Sequence, residues 1–268
     1  MLKLNNQDYE VCLLDTCIIS DFLENPIVFQ NFLAIQIKRN FVIAISISTI
    51  LELKILTERY EWFKNEFTKL PTFLIKPANL LLTDEVNSYP NFNKEKFLFY
   101  FLFNNRHLLD HLDNAKGFQD AVKYIESEKE NTLHSILNLK QNFPPNSNGK
   151  YSNSNIIEFI ERVIIQQLVS FNPKWAKRNI EIKTFDFSKF QSLHSQLLIT
   201  FWKFYLLIDR RPKKSDVFDI SIVSALPYVD IFITEKNLKN DIDQIGKKGL
   251  LFSELQAITI NQIDEIIK

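Results

Sequence analysis

The stretch Val11-Cys12-Leu13-Leu14-Asp15-Thr16-Cys17-Ile18-Ile19-Ser20-Asp21-Phe22-Leu23 changes its hydrophobic rhythm at a single residue, Asp15. Before Asp15 the chain is continuously apolar, as in a strand covered on both faces. After it, apolar residues return at helical spacing. The same change of rhythm recurs at three other acids. Glu52 lies six residues past the run Phe41-Val42-Ile43-Ala44-Ile45-Ser46. Asp219 opens Ile220-Ser221-Ile222-Val223-Ser224-Ala225, and Glu235 ends Asp230-Ile231-Phe232-Ile233-Thr234. Short apolar runs alternating with helical patterns imply an α/β fold with a parallel sheet flanked by helices. Residues 11–14, 41–46 and 231–234 are expected to be neighbouring parallel strands. The carboxyl ends of such strands share one edge, where ligands bind.

Carboxylates brought together there repel one another and call for a cation between them. Oxygen-only donors suit magnesium or manganese. A metal-dependent hydrolase of phosphodiesters is the chemistry this arrangement points to. Each acid alone has an ordinary reading. Thr49-Ile50-Leu51-Glu52 fits a capping box, in which Glu52 would only bond back to the helix start. Asp15, Asp216 and Asp219 suit helix N-termini by capping and by the macrodipole. What favours the joint reading is that the strand-like runs end near an acid, never near a glycine-rich turn.

The chain has only four glycines, Gly117, Gly149, Gly246 and Gly249. Neither a Walker loop nor a dinucleotide fingerprint can be built from them, because both need clustered glycines beside phosphate. No nucleotide cofactor is expected. The 268 residues, 46% hydrophobic, are enough for a substantial core. Formal net charge is zero and the pI is about 6.9, so any affinity for nucleic acid must come from a local patch. The two cysteines, Cys12 and Cys17, are too few for a disulfide framework and suggest a reducing cytoplasm. Neither a signal peptide nor an apolar run of about 18 residues is evident, so no membrane is expected.

Three parts follow along the chain. Residues 1–77 and 209–268 have the alternating style and read as two halves of one α/β core. Residues 78–208 read as a mostly helical insertion, broken by Asn142-Phe143-Pro144-Pro145-Asn146-Ser147-Asn148-Gly149-Lys150.

The four acidic motifs, in order and spacing, resemble the PIN-domain nucleases. The first resembles the family's strand ending in Asp-Thr/Ser-Asn, the second its serine-bearing strand leading to Glu-Leu at Glu52-Leu53. The third is similar to its Asp opening a small-residue helix, the fourth to its strand ending in Thr and an acid, here Thr234-Glu235. The likeness covers roughly residues 9 to 60 and 209 to 252. It implies a PIN-like, three-layer Rossmannoid core and a magnesium- or manganese-dependent endoribonuclease. Such proteins are often toxins with a protein inhibitor, or RNA-processing factors. Asp15, Glu52, Asp219 and Glu235 would then be catalytic ligands, with Asp216 a further metal ligand and Thr16 and Thr234 supporting hydroxyls. Cys17 stands where the family has Asn, and Glu235 where it has Asp. The alternatives are a PIN-like binding or scaffold protein with a degenerate site, and a nuclease of single-stranded DNA. A haloacid-dehalogenase-type phosphatase would need an acid at position 17.

For substrate, residues 171–216 carry ten Lys or Arg against four acids. Arg210, Arg211, Lys213 and Lys214, just before the third motif, are expected to contact RNA phosphates. Trp175, Trp202, Phe204 and Tyr205 could stack on bases, but Leu197, Phe201, Phe204 and Ile208 follow a helical core spacing. His107 and His111, spaced i, i+4, have no evident third zinc ligand.

Overall fold

A computed structural model of the protein describes residues 2–4, 7–91, 98–116, 151–181, 183–205 and 215–267, with single positions 119, 120, 134, 138, 143 and 213. Its centre is a seven-stranded sheet. The strands are β1 (Leu2–Leu4), β2 (Gln7–Leu14), β3 (Phe41–Ser46), β4 (Thr72–Ile75), β5 (Leu98–Phe101), β6 (Ile231–Ile233) and β7 (Gln256–Ile258). Their order is β5-β4-β3-β2-β6-β7, with β1 paired to the start of β2. From β4 to β7 all pairings are parallel, and β5 joins β4 antiparallel. The three expected strands are therefore neighbours: Val11 pairs with Val42, and Cys12 with both Ile43 and Ile231.

Alternation along these strands divides the core into two clusters. Val11, Leu13, Val42, Ala44 and Phe232 belong to one, and Cys12, Leu14, Ile43, Ile45, Ile231 and Ile233 to the other. Every residue of β3 is buried, which is why its run is continuously apolar. One cluster is completed by α1 (Thr16–Glu24), α2 (Pro26–Arg39), α3 (Ile47–Ile55), α4 (Thr57–Phe67) and α6 (Arg106–Asn114), through residues such as Phe22, Phe32, Leu53, Phe63 and Leu109. The other takes in α5 (Ala78–Ser88), α7 (Asn153–Phe171), α9 (Gln191–Phe204), α10 (Asp216–Val223) and α11 (Lys236–Lys247). A short α8 spans Pro173–Asn179. Much of the middle of the chain is thus in the same core as β2 and β3, and it also supplies the edge strand β5.

Local chemistry explains the joints that matter. Asp15 ends β2 and begins α1, its own carboxylate accepting from the Thr16 backbone N–H at 2.7 Å. Asn25 accepts from Val28 and precedes Pro26 at the start of α2, and Asn40 closes that helix in the left-handed region with φ 57°. Ser46, not Thr49, caps α3, its hydroxyl accepting from the Thr49 N–H at 3.0 Å. The capping box at Thr49–Glu52 is therefore not formed, since the helix begins one turn earlier.

Trp202, Phe204 and Tyr205 are buried in the core, and Trp202 donates its indole N–H to Gln244 at 3.1 Å. They are packing residues and offer no stacking face. Trp175 is half-buried against Phe185 and Phe190. No helix among the described residues is long and apolar enough to cross a membrane.

Candidate functional site

The strand ends define the site. Leu14 hands over to Asp15, whose N–H donates to the Ile233 carbonyl at 3.1 Å, so the ends of β2 and β6 are stitched together. Just beyond β6, the Thr234 hydroxyl donates to Asp15 Oδ2 at 2.5 Å. Asp15 is thereby held at both oxygens, by its own helix start on one and by Thr234 on the other. Of the two threonines expected to support it, Thr234 does so by its hydroxyl and Thr16 by its backbone.

Asp15, Glu52, Asp219 and Glu235 line one pocket of about 280 Å³, together with Thr16, Cys17, Ser20, Leu56, Arg59 and Ser215. The acids approach it from different walls. Glu52 projects from α3, Asp219 from the first turn of α10, and Glu235 from the cap position of α11. Among the described residues, no three His, Cys, Asp or Glu side chains are drawn together closely enough to grip an ion as they stand. What the four share is a cavity and its electrostatics. Asp15 is pushed up to about 7, first by burial and then by the charges of Asp219 and Glu52, against the lowering effect of the Thr234 bond. Burial and the charges of Asp15, Asp21 and Glu235 push the Cys17 thiol well above its usual range. Cys17 is thus a neutral thiol, unsuited to nucleophilic attack.

Asp216 is placed apart from the pocket lining. It accepts from the Lys213 N–H at 2.7 Å, and its side chain is almost wholly buried. Beside it stands a residue that sequence reasoning counted only as part of a basic segment. Lys203, on α9 and 1% exposed, puts Nζ 2.5 Å from Asp219 Oδ2 and 3.5 Å from Asp216 Oδ1. The available signal was a lone lysine inside the aromatic run Phe201-Trp202-Lys203-Phe204-Tyr205, where an unpaired charge is not tolerated. The second cation missed is Arg59 on α4, which lines the pocket and donates to Ser20 Oγ at 2.7 Å and to Glu24 at 2.9 Å.

Of the four basic residues expected at the substrate, Lys213 is exposed, two residues before the pocket-lining Ser215. Arg210, Arg211 and Lys214 lie outside the described residues. A second cleft of about 470 Å³ adjoins the acid pocket, sharing Cys17 and Glu235 with it and presenting Lys236, Lys239 and Asn240.

Carboxylate oxygens, contributed by four different acids around this pocket against one lining cation, are donors of the class that hard divalent cations take. Asp15, Glu52 and Glu235, with Asp219, are the residues that could hold such an ion. Comparison with protein-family models, with curated proteins and with solved structures gave no match to this chain.

Proposed function

We propose that this chain is a PIN-like, magnesium- or manganese-dependent nuclease that hydrolyses phosphodiester bonds in RNA. The observation that carries this reading is the gathering of Asp15, Glu52, Asp219 and Glu235, from four separate stretches of sequence, around one small pocket. A divalent ion bound there would polarise the scissile phosphate and lower the pKa of a water. The protein's own contribution is positional. Thr234 and the start of α1 fix Asp15, and β6 fixes Glu235 close by. Arg59, held by Ser20 and Glu24, would bring a positive charge to a phosphate at the pocket wall. Lys213, exposed two residues before Ser215, would add a second positive charge for the substrate.

The deciding experiment incubates the purified protein with single-stranded RNA and single-stranded DNA, with manganese, with magnesium and with a chelator. Cleavage of RNA that stops with chelator is the expected result. Cleavage that persists with chelator, or no cleavage under any condition, would sink the proposal. Preferential cleavage of the DNA would keep the chemistry and change the substrate.

The Lys203–Asp219 ion pair favours one other reading, a PIN-like binding protein in which a lysine has replaced the ion. That protein would bind RNA equally well with metal or chelator and leave it intact.

Arg59→Ala provides a separate check on substrate capture. It should raise KM for RNA about tenfold with little change in kcat, as expected for loss of uniform binding. The slope of log affinity against log salt should fall by about one, and Lys213→Gln should lower it by a similar amount. An unchanged slope in both variants would place substrate binding elsewhere, with the adjoining cleft the next surface to alter.

A further inference from the structure

We propose that Lys203 is a built-in counter-cation that takes the place of a second metal ion and limits the acid pocket to one. This rests on the metal-dependent reading above. A buried ammonium is retained only where partners compensate its lost hydration. Among the described residues Lys203 has two, Asp219 and Asp216, at 2.5 and 3.5 Å. The pair is graded in depth: the side chain of Asp216 is 3% exposed, that of Asp219 24%. Asp219 therefore spans two environments, facing the pocket while also bound to the lysine behind it.

The position of Lys203 is fixed by more than its own charge. On the same helix, Ser195 donates to the Val223 carbonyl at 2.8 Å and Gln196 to the Ile220 carbonyl at 3.2 Å. These bonds bind α9 to α10 on the turns that follow Asp219. On its other side α10 is held to α3 by the Ser48–Ser221 hydroxyl bond of 2.5 Å. The ammonium is therefore presented to Asp219 by a braced helix pair.

Two-ion sites place their metals about 3.5–4 Å apart and share carboxylates between them. Asp216 and Asp219, one helical turn apart, would be suitable ligands for a second ion, and Lys203 already occupies the space between them. A divalent cation added there would meet a fixed positive charge. Asp15, Glu52 and Glu235, with the pocket-facing side of Asp219, remain for a single ion. Lys203 is in this sense a positioning residue, acting through Asp219.

Calorimetry with manganese on the whole chain tests this. Wild type should take up one ion per chain, Lys203→Met two, and Lys203→Arg one. Lys203→Met combined with Asp216→Asn loses one charge of each sign, and it covers the case in which the single variant does not fold. It should bind its single ion about tenfold more tightly, because Asp219 is no longer shared. Two ions on wild type would overturn the inference while leaving the metal-dependent reading intact. So would variants that match wild type in both stoichiometry and affinity. No manganese bound by wild type would overturn the metal-dependent reading, and this inference with it.

Discussion

Replacing Asp15 by Asn should abolish cleavage and, without metal, make the protein more stable. On the proposed metal-dependent reading Asp15 would be a ligand, and since Lewis-acid stabilisation is worth several kcal/mol, its removal should lower kcat about a thousandfold or more. The gain in stability follows from the environment of the acid. Its ordinary value of 3.8 is raised to about 7 in the folded pocket, so ionising Asp15 opposes folding. Nothing is lost below about pH 4, the loss grows between about pH 4 and 7, and above that it is complete. Asn removes this cost while keeping both contacts, since it can accept from Thr16 and donate to the Thr234 hydroxyl. The Tm of Asp15→Asn minus that of wild type, measured in chelator, should therefore grow with pH across that window and then level off. A difference independent of pH would show that the carboxyl is not strained by its neighbours.

The largest loss of stability is expected far from the pocket, at Glu85. This acid is 1% exposed on α5, accepting from the Ser192 N–H and from the Ser192 hydroxyl at 2.7 Å each, and from the Tyr228 hydroxyl. It joins α5, the first turn of α9 and the segment leading into β6. Burial raises it to about 7 in spite of these bonds. Glu85→Ala leaves several buried donors without an acceptor, at a cost of roughly 3 kcal/mol. At about 2–4 °C per kcal/mol for a chain of this size, Tm should fall by roughly 6–12 °C. Glu85→Gln keeps an acceptor and should lose much less. A shift of less than about 2 °C in the alanine variant would mean that water restores the network.

Different parts of the structure were legible in the sequence to different degrees, for physical reasons. Strand β3 and the last part of β2 are buried on both faces, so their apolar runs stand out, and β6 is a shorter case of the same. Strands β4 and β7 are three or four residues long, too short for a period to register, and Thr72 and Gln256 break their apolar character. Strand β5 owes its place to pairing with β4, a long-range contact with no local signature. Asp15 and Glu235 stand out because each follows a strand, and Asp219 because it lies in the first turn of a helix, whereas Glu52, well inside α3, is marked only by its distance from β3. Arg59 was not legible, since Thr57-Glu58-Arg59-Tyr60-Glu61 reads as an ordinary solvated helix start. Only the return of α4 alongside α1 brings it to the pocket, where it meets Ser20 and Glu24. Lys203 depends on an ion pair across 16 residues, which a spacing rule does not reveal.

That α9 sets Lys203 behind the pocket-lining Asp219 bears on how such a protein can change over evolutionary time. A surface loop can be lengthened, shortened or exchanged without consequence for chemistry elsewhere. Residues 78–208 do not have that freedom. Loss of α5, α7 and α9 would uncover part of one face of the sheet, remove the bonds from α9 to Ile220 and Val223 of α10, and take the Lys203 ammonium away from the buried Asp216. Descent from a smaller ancestor would then require lysine, aspartate and helix contacts to have been acquired together. Variation should accordingly concentrate at the exposed positions of α7 and α8, while Ser195, Gln196, Lys203 and Asp216 change only in concert.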